Sequence, residues 1–311
     1  MRVARLPLLL LLTGCVENYL DVVLPEPVDQ VVPGLTPPQR ELPPLVEAPT
    51  TPPPVSGGTL FVDGAYAIAA EPDRDLIHVA RLAAPRGGQP ILQMDATIQL
   101  GGGDEPGRVT STGDGRYWVA LRGSGDVVQI APTREDGSGY AVAARHSVCA
   151  APRGIAYDSR TEEVLVACLG GDLVGLNAKT GVETSRRFVD TDLRDVVVTE
   201  TKIFVSRFRS AEILVLNGEF TATHKLDEGR TFRQPNVAYR MVAGSRPDTV
   251  LVSHQLSSTR EPVTIEQPGG YGGGGGGFEC RGSLVSSAVS AVDASGNVET
   301  LEHPNVILPL D

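Results

Sequence analysis

An aliphatic residue followed by Ala or Ser recurs at Ile68-Ala69, Val119-Ala120, Val166-Ala167, Val205-Ser206 and Val252-Ser253, at intervals of 51, 47, 39 and 47 residues. Soon after each of the first four comes an acid followed by alternating aliphatics: Asp75-Leu-Ile-His-Val79, Asp126-Val-Val-Gln-Ile130, Asp172-Leu-Val-Gly-Leu176 and Glu212-Ile-Leu-Val-Leu216. The fifth unit carries Ser283-Leu-Val-Ser-Ser287 instead, after a long insertion. Each unit offers four short strands. In the third they are expected near Gly154–Tyr157, Glu163–Cys168, Leu173–Asn177 and Glu183–Val189. Four short strands in a unit of about 40–50 residues make one small sheet, which cannot bury both faces alone and must stack on its neighbours around an axis. A sandwich array would need about 100 residues per domain, and a parallel β-helix would repeat faster. The expected fold class is therefore all-β: a β-propeller of four-stranded blades, with about five blades visible between residues 59 and 304. Closed propellers of this kind usually have about six to eight blades. The chain ends Pro304-Asn-Val-Ile-Leu-Pro-Leu-Asp311, which reads as the start of another inner strand, so a truncated or incomplete ring is expected.

Composition agrees. Gly (35) and Pro (24) together make nearly one residue in five a helix breaker, against helical bundles and helical solenoids. Four Cys in 311 residues are too few for a disulfide-framework protein. The net charge of −11, from 27 Lys and Arg against 38 Asp and Glu, argues against a nucleic-acid partner.

Through Gly154-Ile-Ala-Tyr157, Val164-Leu-Val-Ala167 and Gly171-Asp-Leu-Val-Gly-Leu176, residues 59–305 resemble YVTN-type β-propeller repeat proteins of the bacterial envelope. The resemblance implies the propeller and says little about activity, because propellers host many functions. Some lipoproteins similar to this chain continue into c-type cytochrome modules.

The first fourteen residues read as an address. Arg2 and Arg5 precede the apolar run Leu6–Leu12, which is too short to span a bilayer. Leu12-Thr13-Gly14-Cys15 resembles the lipobox of bacterial lipoproteins, which implies cleavage before Cys15 and lipidation of its thiol and new amino group. A membrane anchor without a transmembrane helix follows, because each buried CH₂ contributes about 0.8 kcal/mol. Val16, in place of Asp, favours the outer membrane by resemblance to enterobacterial sorting. Residues 15–57 then form a lipidated Cys and a Pro-rich spacer, with eleven Pro between Asp21 and Gly57 and acids at Glu26, Asp29, Glu41 and Glu47. Such a segment is expected to be disordered and extended, a stalk between membrane and propeller. The propeller domain is expected over residues 58–311, with a glycine-rich insertion at 256–282.

Candidate binding residues repeat with the blades. Arg108, Arg153, Arg194 and Arg240 fall near the start of four inner strands, and Arg122, Arg207, Arg209, His254 and Gln255 lie at the corner between second and third strands. All are expected at one mouth of the channel, with the four repeating arginines on one level. Guanidiniums bind carboxylate or phosphate bidentately, so an anionic small molecule or a protein partner is one reading. The other is structural: arginines pairing with acids of their own or the next blade, for example Arg194 beside Asp195. Cys149 and Cys168 bracket the start and second strand of the third blade, and an oxidising compartment favours a disulfide between them. Cys280 follows the glycine run and is left over; that run lacks the Lys-Ser/Thr of a phosphate loop. No cofactor, catalytic constellation or metal site is expected. Three functions remain: an anchored envelope binding module; the propeller part of a cytochrome- or peroxidase-like electron-transfer protein; and a hydrolase resembling propeller lactonases. The last needs a metal, which an arginine-rich channel would repel.

Overall fold

The computed structural model describes residues 59–83, 91–218, 220–226, 233–259 and 285–301. The lipobox with Cys15, the spacer, most of the glycine insertion, Cys280 and the last ten residues lie outside the described residues.

Every described element is a strand. The first sheet comprises β1 (Thr59–Asp63), β2 (Tyr66–Glu71), β3 (Leu76–Ala83) and β4 (Ile91–Gln99). The second comprises β5 (Pro106–Ser111), β6 (Tyr117–Leu121), β7 (Asp126–Pro132) and β8 (Tyr140–Ser147). The third comprises β9 (Pro152–Asp158), β10 (Glu163–Cys168), β11 (Asp172–Asn177) and β12 (Glu183–Phe188). The fourth comprises β13 (Leu193–Val198), β14 (Ile203–Arg207), β15 (Glu212–Asn217) and β16 (Phe220–Lys225). The fifth comprises β17 (Arg233–Ala243), β18 (Thr249–Ser258), β19 (Val285–Asp293) and β20 (Val298–Leu301). Each sheet is an antiparallel meander in chain order, and together they are five blades of a β-propeller. The strand β18 runs on to Ser258 and pairs with β19 as far as Ser257↔Val285. Residues 256–258 are therefore strand, and the insertion begins later than the glycine pattern implied.

The repeated sequence motif has two physical jobs. Its aliphatics fill the space between blades. Val119, Val166, Val205 and Val252 are all fully buried on second strands, and burying each such side chain contributes about 1.5–3 kcal/mol. The acid that opens each third strand ties the blade's polar edge. Asp126 accepts from Arg145 at 2.6 Å, Asp172 from Arg186 at 3.3 Å, and Glu212 from Arg207. Asp75 accepts instead from the Gly103 and Glu105 amides at 2.8 and 2.7 Å, tying blade one to the link that leads into β5.

Four hydrophobic cores lie between successive blades. Ile68, Ile77 and Val79 meet Val109, Tyr117 and Val119; Trp118 and Val127 meet Ile155, Val164 and Val174. Leu165, Ala167 and Leu173 meet Val196, Val205 and Leu214; Phe204 and Ile213 meet Ala238, Met241 and Val252. Among the described residues no fifth core joins blade five to blade one. The faces that such a core would use carry exposed apolar side chains. Leu60, Val62, Leu92 and Met94 on blade one are 62%, 55%, 62% and 56% exposed. Val242, Val285 and Val289 on blade five are 44%, 46% and 38% exposed.

Candidate functional site

The inner strands β1, β5, β9, β13 and β17 line a shared channel, with Phe61, Arg108, Ile155, Asp195 and Arg240 around a cavity of about 220 Å³. Above it, a smaller cavity of about 50 Å³ is lined by Glu105, Arg108, Arg122, Arg153, Arg194 and Tyr239, with neighbouring prolines.

Strand register decides which arginine reaches which depth. Val109, Ile155, Val196 and Met241 stand opposite Val119, Val166, Val205 and Val252, so these four inner-strand positions are equivalent. One residue earlier come Arg108, Gly154, Asp195 and Arg240. Two residues earlier come Gly107, Arg153, Arg194 and Tyr239. The four repeating arginines therefore occupy two tiers rather than one level. All four inner strands carry a register shift just before these positions, and Arg153 and Arg194 are the residues skipped in theirs, between Pro152 and Gly154 and between Leu193 and Asp195, whereas Arg108 and Arg240 come one position nearer the valines. Bulges re-aim side chains and terminate pairing.

The lower tier is a buried ion cluster. Arg108 Nε lies 3.7 Å from Asp195 Oδ1, and the two side chains are only 8% and 5% exposed. Arg108 Nη2 also donates to the Tyr239 carbonyl oxygen at 2.9 Å, reaching from blade two to blade five. Asp195 accepts from the Met241 amide at 2.8 Å and the Val196 amide at 3.2 Å. Burial raises the Asp195 carboxyl above its ordinary range, opposed by the charges of Arg108 and Arg240. Burial likewise pushes the Arg108 guanidinium down, while Asp195 pulls it back. The expected pairing of Arg194 with Asp195 is replaced by this pairing with Arg108. Gly154 completes the tier because β13 passes close by. A Cβ there would sit 2.7 Å from Asp195 Cα.

The upper tier is cationic and aromatic. Arg194 lies over Phe208 and Tyr239, 4.9 and 4.8 Å from the ring centroids, and Arg153 lies 5.9 Å from Phe208. The ring faces attract the guanidinium charge but offer no conventional hydrogen-bond acceptor to its N–H groups. The Nε atoms of Arg153 and Arg194 are buried and have no hydrogen-bond partner in the protein. Burial lowers the Arg153 guanidinium from its ordinary value, and the nearby Arg194 charge lowers it further. Arg122, at the rim, is answered by Glu105 at 2.8 Å.

Backbone geometry sets this rim. Glu105, Ala151 and Asp192 each precede an inner strand in the left-handed region, with φ of 50°, 56° and 63°. Their carbonyls accept from the amides of Arg122, Leu169 and Phe208 at 3.1, 3.1 and 2.9 Å. Three non-glycine residues at one structural position, each costing on the order of 1–3 kcal/mol, mark a built rather than an incidental turn. In blade three this turn is also crosslinked. Cys149 and Cys168 form a disulfide with Cα atoms 6.2 Å apart, and Cys168 stands opposite Pro152, next to Arg153.

Three of the expected mouth residues line neither cavity. Arg207 is held by Glu212 and by Asp190 at 3.2 Å. His254 is 3% exposed and its Nε2 lies 2.7 Å from Ser290 Oγ, on the face of β18 that packs towards blade four. Gln255 alternates to the other face of that strand. Phe208 and Tyr239 were not singled out from the sequence; the adjacency of Phe208 to Arg207 and of Tyr239 to Arg240 was the available signal. Among the described residues no group of three His, Cys, Asp or Glu side chains is placed to hold a metal ion.

No family model matches the chain. No curated protein matches it either. Solved structures share its fold. The hydrazine synthase of Kuenenia stuttgartiensis is similar over 77% of this chain at 12% identity, with a TM-score of 0.58. The chain spans 63% of that protein's matched chain. Virginiamycin B lyase of Staphylococcus aureus is similar over 80% of this chain and 85% of its own, at 9% identity and a TM-score of 0.48. A putative 6-phosphogluconolactonase of Bacteroides uniformis is similar over 65% of this chain and 66% of its own, at 12% identity and a TM-score of 0.48. At these identities the likeness concerns architecture alone.

Proposed function

We propose that this chain is a lipid-anchored propeller of the bacterial envelope whose channel mouth binds an anionic ligand. The anchor rests on Arg2, Arg5, the short leucine run and Cys15. The binding reading rests on one observation: the buried Nε atoms of Arg153 and Arg194 have no hydrogen-bond partner in the protein, although both side chains stand in a cationic cavity. Buried donors are ordinarily satisfied, and like charges in a low-dielectric funnel attract a counter-ion. The lower tier supports the reading by contrast. There a carboxylate, Asp195, is buried among the guanidiniums, whereas in the upper tier Asp192 reaches Arg153 through its charge alone and the Nε atoms of Arg153 and Arg194 stay unsatisfied. A metal-dependent hydrolase is less well supported, because clustered guanidiniums repel a cation.

Thermal unfolding in sulfate or phosphate, against chloride at matched ionic strength, tests the reading. Mass action at about one hundred times the Kd stabilises by about 2.7 kcal/mol, a Tm rise on the order of 5–10 °C. Arg194→Ala is expected to remove most of that rise. An equal rise in wild type and variant would contradict the site, and no rise with any anion would contradict the function.

A further inference from the structure

Building on that anion-binding reading, the geometry points to a compact dianion as the ligand class: a phosphoryl group in its doubly ionised form, free or at the end of a larger molecule. The first argument is charge balance. Five guanidiniums (Arg108, Arg122, Arg153, Arg194 and Arg240) line the two cavities. Three carboxylates answer them: Asp195 between Arg108 and Arg240, Glu105 on Arg122, and Asp192, whose charge reaches Arg153. At least two positive charges are left without a carboxylate, and Arg209 adds another nearby charge felt by Arg153. A monoanion would leave one of them still opposed by its neighbours. A dianion neutralises the pair.

Size and donor geometry give the second argument. The mouth cavity holds about 50 Å³. One water needs about 10–15 Å³ by the same measure, so a group of a few heavy atoms fits and an extended acid does not. Arg153 and Arg194 converge on Phe208, with Cζ 5.9 and 4.9 Å from its ring centroid. Two neighbouring guanidiniums, each with an unsatisfied Nε, suit an acceptor with several oxygens, which a phosphoryl group provides.

Calorimetric titration of the full chain tests this with glycerol phosphate, inorganic phosphate and sulfate as dianions, and acetate and dimethyl phosphate as monoanions, at constant ionic strength. At pH 7.5 the dianions are expected to bind at least tenfold tighter than the monoanions. The affinity of glycerol phosphate is expected to rise about tenfold between pH 5 and pH 7, following its second ionisation near pH 6. Sulfate stays doubly charged throughout and so reports separately any titration of the protein, including Asp195. Arg153→Ala and Arg194→Ala are each expected to weaken sulfate binding tenfold or more, while Lys179→Ala, on the surface in a pair with Glu162, leaves it unchanged. Equal affinity for monoanions and dianions would overturn the dianion assignment while leaving an anion site standing. No binding by any probe to the folded wild type would overturn both.

Discussion

Asp195 answers the charge of Arg108 from 3.7 Å, whereas Arg194, one tier away, stacks on Phe208 and Tyr239 with its Nε unsatisfied. Removing one member of a buried ion cluster strands the other charges, at a cost of about 3–5 kcal/mol. Asp195→Asn keeps the shape and an acceptor for the Met241 amide but leaves Arg108 and Arg240 without a counter-charge. It is expected to destabilise by that amount. Arg194→Ala loses two ring stacks worth about 0.5–1 kcal/mol each but relieves repulsion from its neighbours, so its net effect is expected within about 1 kcal/mol of wild type. Urea unfolding of the two variants checks the contrast. Arg194→Ala as the more damaging change would make the upper tier structural. The sequence placed the four arginines within one position of each other and no closer. The tiers differ by one residue counted from the buried valine pairs, and links of different length (100–105, 148–151 and 189–192) hide such an offset from any spacing rule.

Strands were legible wherever an acid and alternating aliphatics opened them. For blade three the expected Glu163–Cys168 strand is the observed β10, and the other three differ at their ends by one or two residues. In blade five the pattern misled. Strand β18 carries polar residues at Ser253, His254, Gln255, Ser257 and Ser258, so its outer half read as loop. Pairing with β19 makes it strand, because register is a property of two segments and not of one. His254 is the casualty of that misreading: alternation along an extended β18 turns it towards Ser290 rather than the channel. The crosslink in blade three leads to an expectation at this level. Eighteen residues lie between Cys149 and Cys168, and closing a loop of that size contributes about 3 kcal/mol in the chain-entropy account. Cys149→Ala/Cys168→Ala is expected to lower stability by about 2–4 kcal/mol yet remain folded, because cores on both sides still cover the sheet. The same variant should weaken anion binding, since Arg153 follows directly on the crosslinked turn. An unchanged denaturation midpoint on reduction of the wild-type protein would count against the bond's contribution.

Five sheets share four cores, and the apolar faces of blades one and five stay uncovered among the described residues. The repeat in the sequence conveyed the stacking of blades, because each unit's aliphatics need a neighbour. The blade count led to the expectation of an incomplete ring, but not to which side chains its end faces carry, because Leu60, Val62 and Val289 look like any other strand residues until their surroundings are known. The chain as a whole is acidic, with a net charge of −11, so the cationic mouth is a local exception set by register. The anchor is a separate expectation. Wild type should enter the detergent phase on phase separation and Cys15→Ser should stay in the aqueous phase; a variant that partitions like wild type would contradict lipidation at Cys15. The claim that the mouth holds an anion is tested most directly by a crystal soaked in selenate, whose selenium scatters anomalously. An anomalous peak within hydrogen-bonding range of the Arg153 and Arg194 guanidiniums, lost in Arg153→Ala/Arg194→Ala, is the expected result. A map with no peak between those side chains, at a selenate concentration that raises the Tm of the wild-type protein, would contradict it.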